Sequence, residues 1–414
     1  MRVSTYGLQG VLPWAQARHV AQSSAHPLPA AQARLDESVG SLLARELVTV
    51  MDDPSVDSAA EDGFAVCGAG PWRVDDLDAL TPGWATPVSR RMPLPRHADA
   101  VVVVEAAVVE EHADGSVTML MRDALSGVPD EGVRPDLGAG ILREASVSSA
   151  GTALAPMGTA VTPALVSLAA SRGLDSIEIV RPPVVGTLIL GSSLLDHGLP
   201  RNGRVRDALG AAIPAFVGAL GARGNPAVRA PDTLELLTGE IDDANVDVLI
   251  TTGSTAPGPD NHLRGVLRDL NVRWLVDGVS VTPGSQMLLA RLVDGRFLVG
   301  LPGEPTAALA GLITLVSPLI STLCDRPRVD RRRSAVLMED TQPADYADDT
   351  ALVPVAMESS AAGTQARPFP MTGPDGQIGW ATADAIAIVP PGAGFRGDVV
   401  DLVDVYGRDL PALP

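Results

Sequence analysis

Cysteine is scarce: the 414-residue chain holds only Cys67 and Cys324. They form no CxxC pair and no Cys/His cluster of zinc-ligand spacing, so two separate reduced thiols are expected rather than a disulfide framework or a structural zinc. Positive charge is also in deficit. Lys and Arg total 31 against 50 Asp and Glu, a net charge of −19, and a field of that sign repels polyanions and argues against nucleic acid as a partner. No uninterrupted apolar run approaches the ~20 residues that span a bilayer. The opening stretch MRVSTYGLQGVLPWAQARHV lacks the charged region, apolar core and cleavage site of a signal peptide. No membrane and a cytoplasmic location are therefore expected. Absent too are a GxxxxGK[ST] loop, a GxSxG elbow and an HExxH helix, which withdraws the usual ATPase, α/β-hydrolase and zincin readings.

What is present is apolar and modular. Hydrophobic residues make up 46% of a chain longer than one core usually supports, so several packed domains are expected. Helices are predicted around Trp14 to Gln22 and Ala31 to Leu47, as an arm rather than a core. Between Thr49 and Arg143, valine runs such as Ala100 to Val104 alternate with turn clusters and read as a small β-rich domain. The stretch Gly151 to Arg172 holds a helix with Pro163 in its first turn. From Val184 onward, strands (Val184 to Leu190, Val246 to Thr251, Phe297 to Leu301) alternate with helices (Val205 to Leu220, His262 to Leu270, Thr306 to Leu323). That order predicts a parallel sheet covered on both faces. After the arginine-rich connector at Arg326 to Arg333 the chain turns strand-like again.

Three glycine-bearing turns directly follow buried strands: Gly191-Ser192-Ser193, the loop Thr252-Gly253-Ser254 to Gly258 and onward to Asp260 and Asn261, and Pro302-Gly303-Glu304-Pro305. Ligands of open α/β sheets settle at the carboxyl ends of strands, where glycine lets the backbone approach and helix N-termini offer amides to anions. A phosphate cradle fits this arrangement, and so does an ordinary set of connections. In the N-terminal half, Asp62 sits on a tight turn ahead of an apolar pair, where a carboxylate acts as a cap or faces a partner surface.

The order of these motifs resembles the molybdopterin molybdenumtransferase family, including the E domain of gephyrin. "EDGFAV" is similar to that family's SxxDGYA, "MPLPRHADAVVVVE" to APLPxGADAVVxxE, "ITTGSTAPGPDNHL" to TTGGVSVGDYDYV, "VTPGSQM" to KPGKP and "LVGLPGEPTAAL" to FGLPGNPVSA. "ATADAIAIVPPG" is similar to its last-domain ADGLAxLP. The resemblance implies an α/β plus β multidomain fold. Its parts are a discontinuous helical arm (1–48 and 145–180), a small β-rich domain (49–144), a three-layer molybdopterin-binding α/β domain (181–326) and a C-terminal β-barrel-like domain (327–414). It further implies a homodimer that takes adenylylated molybdopterin and molybdate, uses Mg2+, releases AMP and delivers molybdate to the dithiolene.

Carried onto this chain, the resemblance implies Asp62, Asp260 and Asn261 as catalytic positions. It implies Asp207, Thr252, Gly253, Ser254, Gly258, Pro283, Gly284, Pro302, Gly303, Pro305, Ser192, Ser193 and Arg90 as substrate-binding ones. Several positions depart from the pattern. Ser192 and Ser193 stand where the family has Asp and Glu, Asn261 where it has a second aspartate, and Glu304 where it has Asn. Thr282 and Ser285 replace two lysines, while Arg90 and Arg91 add charge before the MPLP motif. Three readings follow: a molybdenum-insertion enzyme with a modified cleft, a degenerate paralogue that binds pterin or partner proteins as a scaffold, or a different small-molecule enzyme built on the same α/β module.

Overall fold

The computed structural model describes residues 10–122, 127–130, 133–256, 261–327, 332–342, 344, 347–360, 363–371 and 373–408. The chain divides into two compact units, one of 32–39 and 43–178 and the other of 1–31, 40–42 and 179–414.

The first unit is β-rich, as the valine runs predict. Its main sheet runs Pro129–Asp130, Val117–Arg122, Trp72–Val74, Trp84–Val88, Gly63–Cys67, Ala100–Val103, with Ala107–Glu111 also on Val117–Arg122. Trp72, Val66, Ala85 and Met119 close one of its cores. Gly63 has no substitute here, because a Cβ would lie 2.1 Å from the Val102 carbonyl oxygen of the neighbouring strand. Pro163 does open a helix, Pro163–Ser171, capped by Thr162 through the Leu165 amide at 3.2 Å.

The helix predicted from Ala31 to Leu47 does not form. Ala30–Arg34 is a strand, Leu35–Ser38 is a single turn, and Leu47–Val48 is a strand again. The donors a helix would use locally bond far along the chain: Leu35 N to Asp175 O, Leu43 N to Thr159 O and Ala44 N to Glu178 O. Tertiary pairing overrides an apolar periodicity that was only locally favourable.

The second unit contains the α/β sheet. Val184–Leu190, Val248–Thr252 and Phe297–Leu301 are parallel and in register, Ile189 opposite Thr252 and Thr252 opposite Leu301. The sheet is mixed rather than wholly parallel. Leu288–Arg291 and Arg273–Asp277 continue it antiparallel as an edge pair, and a helix at Leu234–Asp243 precedes the central strand. One face packs on Ile213, Phe216, Val217 and Leu220, the other on Leu237, Ile241, Val266 and Leu267, so both faces are covered. The helical span expected from Val205 begins only at Ala212–Ala219, because Val205–Arg206 pairs with Leu194–Leu195. Gly221, at φ +89°, ends it in the left-handed conformation.

Trp14–Ser23 is a helix as predicted, and Trp14, Ala17 and Ala21 are buried in the α/β core. Trp14 Nε1 donates to Thr314 Oγ1 at 3.0 Å, and Arg18 donates to the carbonyls of Ile313 and Gly407. Pro305–Leu323 is one 19-residue helix of mean hydropathy 1.8, long and apolar enough to cross a membrane, with 78% of an 18-residue stretch of it buried. Its burial is that of a core helix. Its middle, Leu312–Val316, widens to π geometry just before Pro318, whose ring nitrogen has no hydrogen to continue the α pattern. Beyond it, Thr350–Ser360, Gly363–Pro368, Ser334–Leu337, Val399–Val403 and Ala385–Val389 pair in a ring that closes back on Thr350–Ser360. This is the closed five-stranded barrel anticipated by the resemblance.

Candidate functional site

The three glycine turns leave the same edge of the sheet, because their strands are parallel and in register. Gly253 lies at the centre. Its amide donates to Leu301 O at 2.9 Å, a Cβ on it would sit 3.1 Å from Leu190 O, and a Cβ on Gly303 would sit 3.6 Å from Gly253 Cα. Thr252 is buried beneath the edge, Pro302 is buried beside it, and Gly303 is exposed. With φ +83° at Gly253 and +57° at Ser254, the loop makes two consecutive left-handed steps. Such conformations cost about 1 kcal/mol or more for a non-glycine residue and cluster where a ligand is held.

The fourth motif joins them through the helix. Pro283, after a cis bond, and Gly284, at φ +100°, form a turn in which a Cβ on Gly284 would lie 2.7 Å from Ala307 O, in the first turn of Pro305–Gly311. Thr282 Oγ1 donates to the buried Asp349 Oδ2 at 3.1 Å and anchors this turn.

Both helix starts expected to present amides are capped internally. Ser254 Oγ accepts from the Leu263 amide at 3.1 Å. Glu304 accepts from the Ala307 amide at 2.7 Å and from Thr306 Oγ1 at 2.6 Å, so this glutamate serves as the N-cap of its own helix. Those donors are engaged by the protein itself. Gly258 and Asp260 lie outside the described residues. Asn261 and His262 lead into Leu263–Asp269, half-buried.

Ser192 and Ser193 are exposed at the end of the first sheet strand. An arginine strap lies against them: Val205 N donates to Ser193 O at 3.1 Å and Arg204 Nη2 to Leu194 O at 2.6 Å, with Arg201 and Arg206 alongside and exposed. Where the resembling family carries two acids, this chain presents hydroxyls beside guanidinium groups.

Asp207 is saturated. Its Oδ1 accepts from Leu209 N (2.9 Å) and Gly210 N (2.8 Å), its Oδ2 from Arg229 Nε (2.9 Å) and Nη2 (2.6 Å). Burial alone would push its pKa up, but the Gly210 and Leu209 amides together with Arg229 hold it below the ordinary carboxylate value. It fixes the loop between the strap and the helix Ala212–Ala219.

Sequence reading missed two other contributors. Arg264, buried, donates through Nε to Thr255 O at 2.9 Å and pairs with the buried Asp277. It thereby ties the loop after Gly253 to the sheet edge. The only trace in the sequence is an arginine among Leu263, Val266 and Leu267, where the apolar face calls for another aliphatic.

In the β-rich unit, Asp62 is exposed and its Oδ1 accepts from the Arg90 amide at 2.8 Å. Arg91 Nη1 (2.9 Å) and Arg172 Nη1 (2.5 Å) both pair with Asp53. Arg90 has no carboxylate partner among the described residues.

The carboxylates do not assemble a magnesium site among the described residues, which hold no group of three or more His, Cys, Asp or Glu side chains suited to a metal. Asp207 and Glu304 are engaged with the protein, and the strand-end acids are serines.

Residues 12–173 match the model of the MoeA N-terminal region (domain I and II), and residues 186–322 match that of a probable molybdopterin binding domain. A molybdopterin molybdenumtransferase of Staphylococcus aureus is 25% identical over 400 residues, 91% of each chain. One of Bacillus subtilis is 29% identical over 309 residues, 70% of this chain and 69% of its own. In fold, the chain is similar to the molybdopterin biosynthesis MoeA protein of Pyrococcus horikoshii, with a TM-score of 0.66 at 22% identity over 95% of this chain and 99% of that one. The two family models together span most of residues 12–322, and with the curated relatives they show that the chain belongs to the MoeA family of molybdopterin molybdenumtransferases.

Proposed function

We propose that this protein acts in molybdenum cofactor biosynthesis by inserting molybdate into adenylylated molybdopterin with release of AMP. The observation that carries this reading is the meeting of the Gly191, Gly253 and Pro302-Gly303 turns at one sheet edge, continuous with the Pro283-Gly284 turn through the first turn of the Pro305–Gly311 helix. The glycines admit a phosphorylated pterin close to the backbone, and the left-handed steps at Gly253 and Ser254 hold the loop before the ligand arrives.

In this reading the Ser192 and Ser193 hydroxyls donate to oxyanions, while Arg201, Arg204 and Arg206 supply positive charge where AMP departs or molybdate enters. Preorganised donors of this kind are worth on the order of 10²–10³ in rate each. Thr252, Pro283, Pro302 and Pro305 shape the walls, Asp260 and Asn261 are the groups proposed to act on the reacting ends, and Asp62 and Arg90 are proposed to act on them from the partner subunit of a homodimer. With the described carboxylates already engaged, charge stabilisation falls to guanidinium, hydroxyl and amide groups. Magnesium, proposed to enter on the nucleotide's phosphates rather than on a carboxylate cluster, a homodimeric state and a cytoplasmic location belong to the same proposal. The four-part division expected from the sequence is proposed with them.

The test is a single-turnover incubation of the protein with adenylylated molybdopterin, molybdate and magnesium, followed by AMP quantification. One AMP per pterin, with cofactor able to reconstitute an apo-molybdoenzyme, is expected. Tight pterin binding without AMP release would instead establish the scaffold reading.

A further inference from the structure

At the other end of the α/β sheet, near the start of Phe297–Leu301, lies a cavity of about 520 Å³ whose lining includes Gln16, Ser24, His26, Arg273 and Arg291. We propose that it is a second binding site, for a small dianion of the phosphate class. It goes beyond the molybdenum chemistry and does not depend on it. A five-residue strand at about 3.3 Å per residue separates this end of the sheet from the glycine turns.

Three features converge on an anion. Arg273 and Arg291 are direct partners across the antiparallel edge pair, so two guanidinium groups rise from opposed positions on one face. Like charges so placed repel unless a counter-charge lies between them. Within the protein that counter-charge is missing: neither guanidinium has a carboxylate partner among the described residues, and no acidic residue lines the cavity, in a chain carrying 50 Asp and Glu against 31 Lys and Arg.

The second guanidinium is also held in place. Arg291 Nε donates to Gly295 O at 3.3 Å, and its guanidinium carbon lies 5.3 Å from the Phe297 ring centroid, so its orientation is fixed before any ligand binds. Across the cavity, the helix Trp14–Ser23 contributes Gln16, Val20 and Ser23 from one face, and the chain beyond it adds Ser24 and His26. The negative end of that helix would oppose an anion, but the Val20 carbonyl already accepts from Ser24 N at 3.0 Å and Ser24 Oγ at 2.6 Å. The Ser23 hydroxyl also turns to that carbonyl at 3.5 Å, and the remaining donors, the Gln16 amide and the His26 ring, suit a tetrahedral oxyanion.

The probe is inorganic phosphate, titrated into the full-length protein by calorimetry, with AMP in a parallel arm. Saturable 1:1 binding is expected, weakened about tenfold or more by Arg273→Gln or Arg291→Gln and partly restored by Arg273→Lys, as befits guanidinium–oxyanion contacts. Melting of each variant without phosphate controls for folding. Because Ser192 and Ser193 are proposed to bind oxyanions at the opposite edge, a double variant Ser192→Ala/Ser193→Ala isolates the second site, and the arginine-dependent phosphate binding should persist in it. AMP binding tighter than phosphate, and lost in the same arginine variants, identifies a phosphate monoester; equal or weaker AMP binding identifies free phosphate. No binding up to ~10 mM phosphate, unchanged binding in both arginine variants, or loss only in the serine variant overturns the proposal.

Discussion

Replacing Asp207 with asparagine tests whether the loop beside the glycine turns is held by one carboxylate. The side chain is 2% exposed and meets donors on both oxygens, two backbone amides on one and two guanidinium nitrogens on the other. An asparagine must turn its own NH2 toward one of those donor pairs, losing the charge and at least one charge-assisted bond at about 1.5–3 kcal/mol each. Arg229 is 39% exposed and can turn to solvent, which keeps the net cost below the ~3–5 kcal/mol of a fully buried broken pair, at about 2–3 kcal/mol. Backbone hydrogen exchange across 205–220 reads this locally, and faster exchange by about 30- to 150-fold is expected near pH 7. The folded carboxyl is held below its unfolded value, which lies near 3.9. Its contribution is therefore complete above that value and disappears as pH falls through the folded one. The two proteins should converge in acid. Equal exchange at neutral pH, or a gap that persists undiminished in acid, would refute the reasoning.

Gly284→Ala places a Cβ 2.7 Å from Ala307 O in a left-handed residue, so a loss of about 2–4 kcal/mol in chemical denaturation and weaker pterin binding are expected. Asp62→Ala and Asp260→Ala should each lower AMP release about tenfold or more, as single charged groups at a reacting centre do; unchanged rates in both would remove them from the mechanism. Burial pushes the Cys324 thiol up to about 11 and raises that of Cys67. Both should therefore resist a thiol-specific reagent at pH 8 until denaturant is added, and rapid labelling of the native protein would contradict their burial.

Much of the sheet was legible because buried parallel strands read as unbroken Val/Ile/Leu runs closed by glycine, and all three glycine turns fall at one edge. The closed barrel was visible only through motif resemblance, since a strand-like texture after Arg333 predicts strands but not their closure into a ring. Ala31 to Leu47 misled because its apolar spacing suits a helix, whereas its donors pair with Asp175, Thr159 and Glu178, partners more than a hundred residues away. At the site, the sequence named positions but not their commitments. Nothing local in "RVRDALG" announces that Asp207 meets Arg229 from a separate strand, or that Glu304 turns back to cap its own helix. The reversal of charge at Ser192 and Ser193 was readable as missing acids, while the arginine strap beside them emerged only when Val205 was found paired to Ser193.

The central claim is that the strand-end turns hold a phosphorylated pterin. It is tested most directly by a crystal structure of the protein with adenylylated molybdopterin. The account predicts phosphate density within hydrogen-bonding reach of the Gly253-Ser254 loop and the Ser192-Ser193 turn. A nucleotide bound elsewhere, with that edge filled only by solvent, would contradict it.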